Sequence, residues 1–390
     1  MNYLRKISIK PFPLNKLYQR QIIWFFVILT FVFLPIVAEP EISKGDSLEK
    51  ISIKPNHKKP VIVVVGENQY TELTDFMVPY GILKRANISE IHMVAPNKGV
   101  MEMFPTLSIE IPTSLSDFDK SHPEGADLVI VPAIHNADNK TIIEWIQDQY
   151  KKGATIVGIC DGVWTLGYAG LLQDKKATGH WYSKEGLNKT FPDTEWIRNK
   201  RYIQDQKIIT TTGVTASIPI SLAIIEAIAG TKKAKEITNE LGIINWNSNH
   251  NSDDFHLDWN QYLTAGKNLV SFWNHEVIGI KTYEGIDEVS LALVADAYSR
   301  TYKSKTLVTT NGKKSVLTKS GIRIFSELNE ESKNKIHFQV EIPKETKAFP
   351  ELNQTLFHIQ RRYGKDTMQF VATQLEFSLK EFCHYVTCQN

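Results

Sequence analysis

Residues 61–65 read Val-Ile-Val-Val-Val, an unbroken β-branched run that constrains the fold more than any other stretch of the chain. A strand without a polar position is covered on both faces, which points to the interior of a parallel sheet between helical layers. Gly66 ends the run, and a helix is expected from about Leu73 to Ala86. Apolar runs recur at 91–95, 128–131 and 154–158, with a helical pattern from Thr141 to Lys152 between the last two. A hairpin-like pair at 201–204 and 207–210 and a helical pair over about 216–241 close the unit. Strands alternating with helices predict an α/β fold in which chemistry gathers at the carboxyl ends of the strands.

Around this core, domain 60–243, the chain divides by composition. Lys6, Lys10, Lys16 and Arg20 lie in a basic flank, 1–21, ahead of the apolar run 22–38. That run is near the short end of the roughly 17–25 residues a spanning helix needs, so a membrane anchor and a signal peptide are both open. The positive-inside rule then puts the flank in the cytoplasm and the main domains outside it, membrane-anchored or exported. Residues 39–59, with Pro40 and Pro55, read as a solvated linker. Residues 244–274 read as an irregular connection; His250, Asp253, Asp254, His256 and Asp258 there fit no standard metal spacing and predict a polar loop. No metal ion or cofactor is expected elsewhere.

Lys plus Arg total 45 against 43 for Asp plus Glu, a balance that argues against a nucleic-acid partner. Three cysteines cannot make a disulfide framework. Cys383 and Cys388, around the 381–390 tail, either pair in an oxidising compartment or stay free, and Cys160 is left alone.

A second α/β segment, 275–380, repeats the order of 61–111: a strand at 277–280, a helix over about 287–302, a strand at 306–309 and a short β segment at 321–325. An internal duplication with a truncated second copy is expected.

The chemistry concentrates at Val157-Gly-Ile-Cys160-Asp-Gly-Val-Trp164, a strand-Gly-x-nucleophile-x-Gly-helix turn. Small residues two before and two after the nucleophile are needed because the backbone folds so tightly there. The turn presents the thiol at a helix N-terminus, which favours a thiolate, and the Asp161 amide is placed to cradle an oxyanion. The Asp161 side chain raises the thiol pKa if it turns inward.

Residues 158–181, Gly-Ile-Cys-Asp-Gly-Val-Trp-Thr-Leu-Gly-Tyr-Ala-Gly through Gly179-His180-Trp181, resemble the elbow and following strand of the ThiJ/PfpI superfamily. Glu72-Leu-Thr-Asp75-Phe-Met-Val-Pro and the 204–216 stretch resemble two further motifs of that superfamily, in the same order. These proteins are relatives of class I glutamine amidotransferase domains, and the similar branch is the one fused to AraC-type regulators and found in isocyanide hydratases.

The resemblance implies a flavodoxin-like parallel sheet sandwiched by helices. It makes Cys160 the nucleophile, His180 the nearby histidine and Asp75 the acid that bonds the sulfur and passes a proton. Oxyanion amides would come from Asp161 and from Ile134, in a loop where Pro132-Ala-Ile-His135 replaces the family's glycines. Residues 276–325 resemble the family's opening half and 357–372 its closing helices, without an elbow. Because members dimerise, the second segment is expected to act as an intrachain pseudo-partner, with a homodimer as the alternative.

Two functions follow. One is an enzyme of hydratase, hydrolase or glyoxalase type acting on a small electrophile. The other is a non-catalytic ligand or redox sensor of the same fold that lacks a DNA-binding domain.

Overall fold

The computed structural model describes residues 47–243, 246–327 and 336–379. The apolar run 22–38 and the cysteines at 383 and 388 lie outside the described residues, among which no helix is long and apolar enough to cross a membrane. The first half runs β1 (Val61–Val65), β2 (Gln69–Glu72), α1 (Leu73–Ala86), β3 (Glu90–Ala95), β4 (Gly99–Phe104), β5 (Ser108–Ile111), β6 (Thr113–Ser114), α2 (Leu115–Ser121), β7 (Leu128–Val131), α3 (Lys140–Lys151), β8 (Thr155–Gly158) and α4 (Gly162–Tyr168). It continues through β9 (Lys176–Ala177), α5 (Lys184–Thr190), β10 (Glu195–Trp196), β11 (Tyr202–Asp205), β12 (Ile208–Thr211), α6 (Ser217–Ala229) and α7 (Thr231–Leu241).

The central sheet has the order β11-β12-β8-β7-β1-β3-β6, parallel throughout except for the β11–β12 hairpin. This is the flavodoxin-like α/β sandwich. All five residues of β1 are buried, as the unbroken β-branched run requires. Glu72 caps α1 by accepting from the Asp75 amide, and Asn87 ends it in the left-handed conformation, at φ 52°. Phe76, Met77, Ile82 and Leu83 on α1 are fully buried, each contributing roughly 1.5–3 kcal/mol of transfer free energy.

The second half holds α8 (Trp259–Val270), β13 (Glu276–Lys281), α9 (Glu288–Ser299), β14 (Ser304–Thr309), β15 (Ser315–Leu317), β16 (Arg323–Phe325), β17 (Ile336–Glu341), α10 (Ala348–Tyr363) and α11 (Lys365–Gln374). Its sheet β14-β13-β17 is parallel and repeats the order β3-β1-β7. The closing helices repeat as well. Gly230 between α6 and α7 has φ 85° and ψ 163°, and Gly364 between α10 and α11 has φ 94° and ψ 162°.

The two halves are one packed body. β16 pairs antiparallel with β5, so a five-stranded sheet crosses from one half to the other, and α9 lies on α1. Reciprocal ion pairs mark the seam. Arg85 near the end of α1 meets Asp287, the cap of α9, at 2.8 Å, and Arg300 just past α9 meets Glu72, the cap of α1, at 2.7 Å. Each arginine stands at the same offset from its own helix cap, so the contacts exchange as in an isologous dimer.

Two expectations about connections need correction. The part of the solvated linker that is described is docked on the domain: buried Asp127 accepts the Lys54 amide at 2.7 Å and the Val61 amide at 2.7 Å, and lies 2.6 Å from His57 Nδ1. Ile51 enters the core, and its apolar side chain supplies the reason. The connection 244–274 is not irregular throughout, because Asp258 and Gln261 form a capping box that starts α8. In the same segment Asp253 pairs with Arg198, and His250 meets Glu376 at 3.1 Å.

Candidate active site

At the end of β8 the chain turns through Cys160, held at φ 55°, a left-handed conformation that costs a non-glycine residue about 1–3 kcal/mol. The turn leaves no room at Gly162: a Cβ there would lie 2.1 Å from the Val131 carbonyl oxygen and 2.8 Å from that of Pro132, both backbone atoms. Gly162→Ala should therefore destabilise the protein by about 3 kcal/mol, read from urea unfolding, since main chain cannot move aside as a side chain can. The Cys160 amide donates to Thr211 Oγ1 at 3.3 Å, and that hydroxyl donates to the Thr212 carbonyl at 2.9 Å, anchoring the elbow to β12.

The thiol is buried, at 5% exposure. Burial pushes its pKa well up, and the charges of Asp75, Asp161 and Glu72 add to the effect, while Arg300 pulls it down. The resting sulfur is therefore a thiol, and the helix-terminus stabilisation expected of a thiolate is outweighed.

Beneath Cys160 lies an acidic cluster built across the seam. Burial pushes the Asp75 carboxyl well above its usual range, opposed by the Ala133 amide and Arg300 and reinforced by Asp296 and Asp161. Its Oδ2 accepts from the Ala133 amide at 3.3 Å, while its Oδ1 is buried with no hydrogen-bond partner. Glu72 is also raised, by burial and then by Asp75 and Asp296. Arg300 bridges the group, with Nη2 at 2.7 Å from Glu72 and Nε at 2.8 Å from Asp296, which also accepts from Thr74 Oγ1 at 3.0 Å. Burial works against the guanidinium charge, but Asp296 and Glu72 more than offset it and hold Arg300 protonated.

The proposed oxyanion groups fare differently. The Asp161 amide makes no hydrogen bond among the described residues, and the Asp161 Oδ1 is buried without a partner. The loop after β7 turns the Ala133 amide, not that of Ile134, toward the site. It is zipped to β2 through Glu72 N to Ala133 O at 2.8 Å and His135 N to Tyr70 O at 3.3 Å, an antiparallel bridge that aims the Ile134 side chain into the core.

His180 precedes a short 3₁₀ turn, its Nε2 is buried without a partner, and its charge neighbour is Glu376. Glu376 follows α11 and accepts from the Gly213 amide. Burial opposes its ionised form, but the His250 hydrogen bond and the charges of His180 and His250 win, and its pKa is lowered. His180 and Glu376 line a cavity of about 1020 Å³ with Trp181, Lys184, Arg198 and Tyr262, and Cys160 and Asp75 are not among its lining residues.

Sequence reasoning missed Arg300, Glu72 and Glu376. The matching offsets of Arg85 and Arg300 from their helix caps were a usable signal for the first two. Glu376 had none.

Residues 59–227 match the family described as DJ-1/PfpI family. Isonitrile hydratase of Pseudomonas putida is 24% identical over 172 residues, covering 43% of this chain and 72% of that protein. The HTH-type transcriptional regulator CdhR of Pseudomonas aeruginosa is 29% identical over 99 residues, which is 25% of this chain and 29% of the regulator. The crystal structure of Drosophila melanogaster DJ-1beta aligns with a TM-score of 0.43 at 20% identity, covering 48% of this chain and all of that one. The stretch 59–227, which carries the central sheet and the elbow, is the part of the chain that matches the DJ-1/PfpI family.

Proposed function

We propose that this chain is a cysteine-dependent hydratase acting on a small neutral electrophile of the isonitrile class. The observation that carries the reading is that Cys160, on its left-handed turn, feels the charge of Asp75, whose buried Oδ1 has no hydrogen-bond partner. Burial pushes both toward their protonated forms, so the resting pair is a neutral thiol and a neutral carboxylic acid.

Such a pair suits addition to a carbon that needs a proton and a nucleophile together. Asp75 gives its proton to the terminal isonitrile carbon, Sγ bonds to that carbon, and the thiol proton passes to the Asp75 carboxylate. The carbon–nitrogen triple bond becomes a double bond in a thioimidate, and no net charge is left in the buried site. Water then adds to the same carbon, the C–S bond breaks, the thiol regains a proton, and an N-substituted formamide leaves. The similarity to a protein named isonitrile hydratase supports the substrate class.

Purified full-length protein should release N-cyclohexylformamide from cyclohexyl isonitrile, and Cys160→Ser should lower turnover at least 10³-fold while leaving the unfolding transition in place. Wild-type protein with no N-cyclohexylformamide above the buffer rate would end this reading.

A second reading is a ligand-binding module. It is favoured by the separate cavity that His180, Lys184 and Arg198 line without Cys160. Redox sensing fits less well, because sensor cysteines are exposed and low in pKa whereas Cys160 is buried and raised.

A further inference from the structure

At the end of the sheet opposite the elbow, three potential metal ligands converge. Glu90 and His92 stand two apart on β3 and so share a face, and His122 is the residue on which α2 ends. One carboxylate oxygen, Glu90 Oε1, lies 3.0 Å from His92 Nε2 and 3.4 Å from His122 Nε2. The ligand atoms of all three lie within 4.8 Å of one another.

The two carboxylate-to-imidazole separations match edges of a coordination shell. A tetrahedral zinc ion with bonds of about 2.0–2.2 Å to nitrogen and oxygen has ligand-to-ligand edges of roughly 3.4 Å. The side chains are also held in place. His122 stacks on Phe118 with centroids 4.6 Å apart and planes at 9°, and His92 meets the edge of the same ring at 5.5 Å. The two imidazoles are 4.8 Å apart at 69°, splayed as two ligands of one ion are.

The ring of His122 is also held from behind. Ser121 Oγ, which donates to the carbonyls of Asp117 and Phe118, each at 3.0 Å, lies 2.9 Å from His122 Nδ1. That contact leaves Nε2 as the ring nitrogen that faces the Glu90 carboxylate.

We propose that Glu90 Oε1, His92 Nε2 and His122 Nε2 bind a divalent transition ion of the zinc class, leaving one position for water and tying β3 to the end of α2. The side chains are 56%, 21% and 17% exposed, so an ion reaches them from solvent. Glu90 and His92 stand close together but His122 lies far along the chain from both, so no recognisable motif forms and only the fold reveals the site.

The test uses full-length protein carrying Cys383→Ser and Cys388→Ser, stripped with EDTA and titrated with ZnCl₂ by calorimetry. One zinc per chain is expected. Glu90→Gln, His92→Gln and His122→Gln should each weaken binding at least 10-fold. Zinc at about 100 times its Kd should raise the melting temperature of the parent by about 5 °C, and not that of the three variants, whose zinc-free melting matches the parent's. No bound zinc in the parent, or zinc binding unchanged in the His92→Gln/His122→Gln double variant, overturns the proposal.

Discussion

Replacing Arg300 by methionine should destabilise the folded chain by about 3–5 kcal/mol in urea unfolding at neutral pH. The guanidinium is the cation shared by Glu72 at 2.7 Å and Asp296 at 2.8 Å, with Asp75 in the same cluster. Removing one partner of a buried ion pair leaves the desolvated charge of the other uncompensated, and here two carboxylates lose the same partner. The cluster can neutralise itself only by taking up protons, so the loss should shrink toward pH 4 and grow above it. A second readout separates electrostatics from packing. Arg300 is the charge that lowers the Cys160 pKa, so the variant should alkylate at that thiol more slowly at a given pH. Arg85→Met removes the symmetry-related arginine, which pairs with Asp287 and Glu288, each at 2.8 Å, away from the cysteine. It should destabilise without changing alkylation. Equal alkylation rates in wild type and Arg300→Met would show that the second half does not reach the site.

What could be read in the sequence was local. The β-branched run 61–65, the small residues flanking Cys160 and the repeat of strand, helix and strand after residue 275 each act within a few neighbours, and the fold keeps them all. Pairings across the seam left no local trace: nothing in Arg323-Ile-Phe325 says that it will sit against β5, or in Glu376 that it will accept from Gly213. The helix α8 shows a subtler failure. Its buried side is polar, with Gln261 donating to Thr373 and Asn268 to Thr301 and Thr367, while Trp259, Leu263 and Val270 are 74%, 54% and 63% exposed. A helix with its apolar stripe outward does not look like one that packs on a core, although its capping box was present in the sequence. At the site itself the elbow was legible because the turn demands glycines at fixed positions, whereas Asp75 was singled out only by the resemblance of the motif around it. The burial that keeps the thiol protonated was not legible, because it arises only once the chain has folded, and Asp75 and Glu72, which add to its effect, stand far from Cys160 in the sequence.

Asp75→Asn should make the protein more stable and far less active, a combination that a purely structural carboxylate does not give. In the unfolded chain an aspartate loses its proton near pH 3.9, whereas in the fold burial holds the Asp75 proton to much higher pH. The folded state therefore binds more protons than the unfolded one above about pH 4. Wild-type stability carries a contribution that is complete below that pH and is lost as pH rises toward the folded value, at about 1.4 kcal/mol per pH unit for this one group. Asparagine has no proton to lose, so the variant's advantage should widen steadily from pH 4 upward in parallel urea titrations. Its amide also keeps an oxygen for the Ala133 N–H, now met at 3.3 Å by Oδ2. What it cannot do is give up a proton to a carbon while receiving one from the Cys160 thiol. Loss of that transfer should lower isonitrile turnover by 10²–10⁴-fold, on the order of other general acids, without a compensating shift in the pH profile. Turnover within tenfold of wild type would remove Asp75 from the chemistry, and a stability gap that does not change with pH would show that its carboxyl is ionised in the fold.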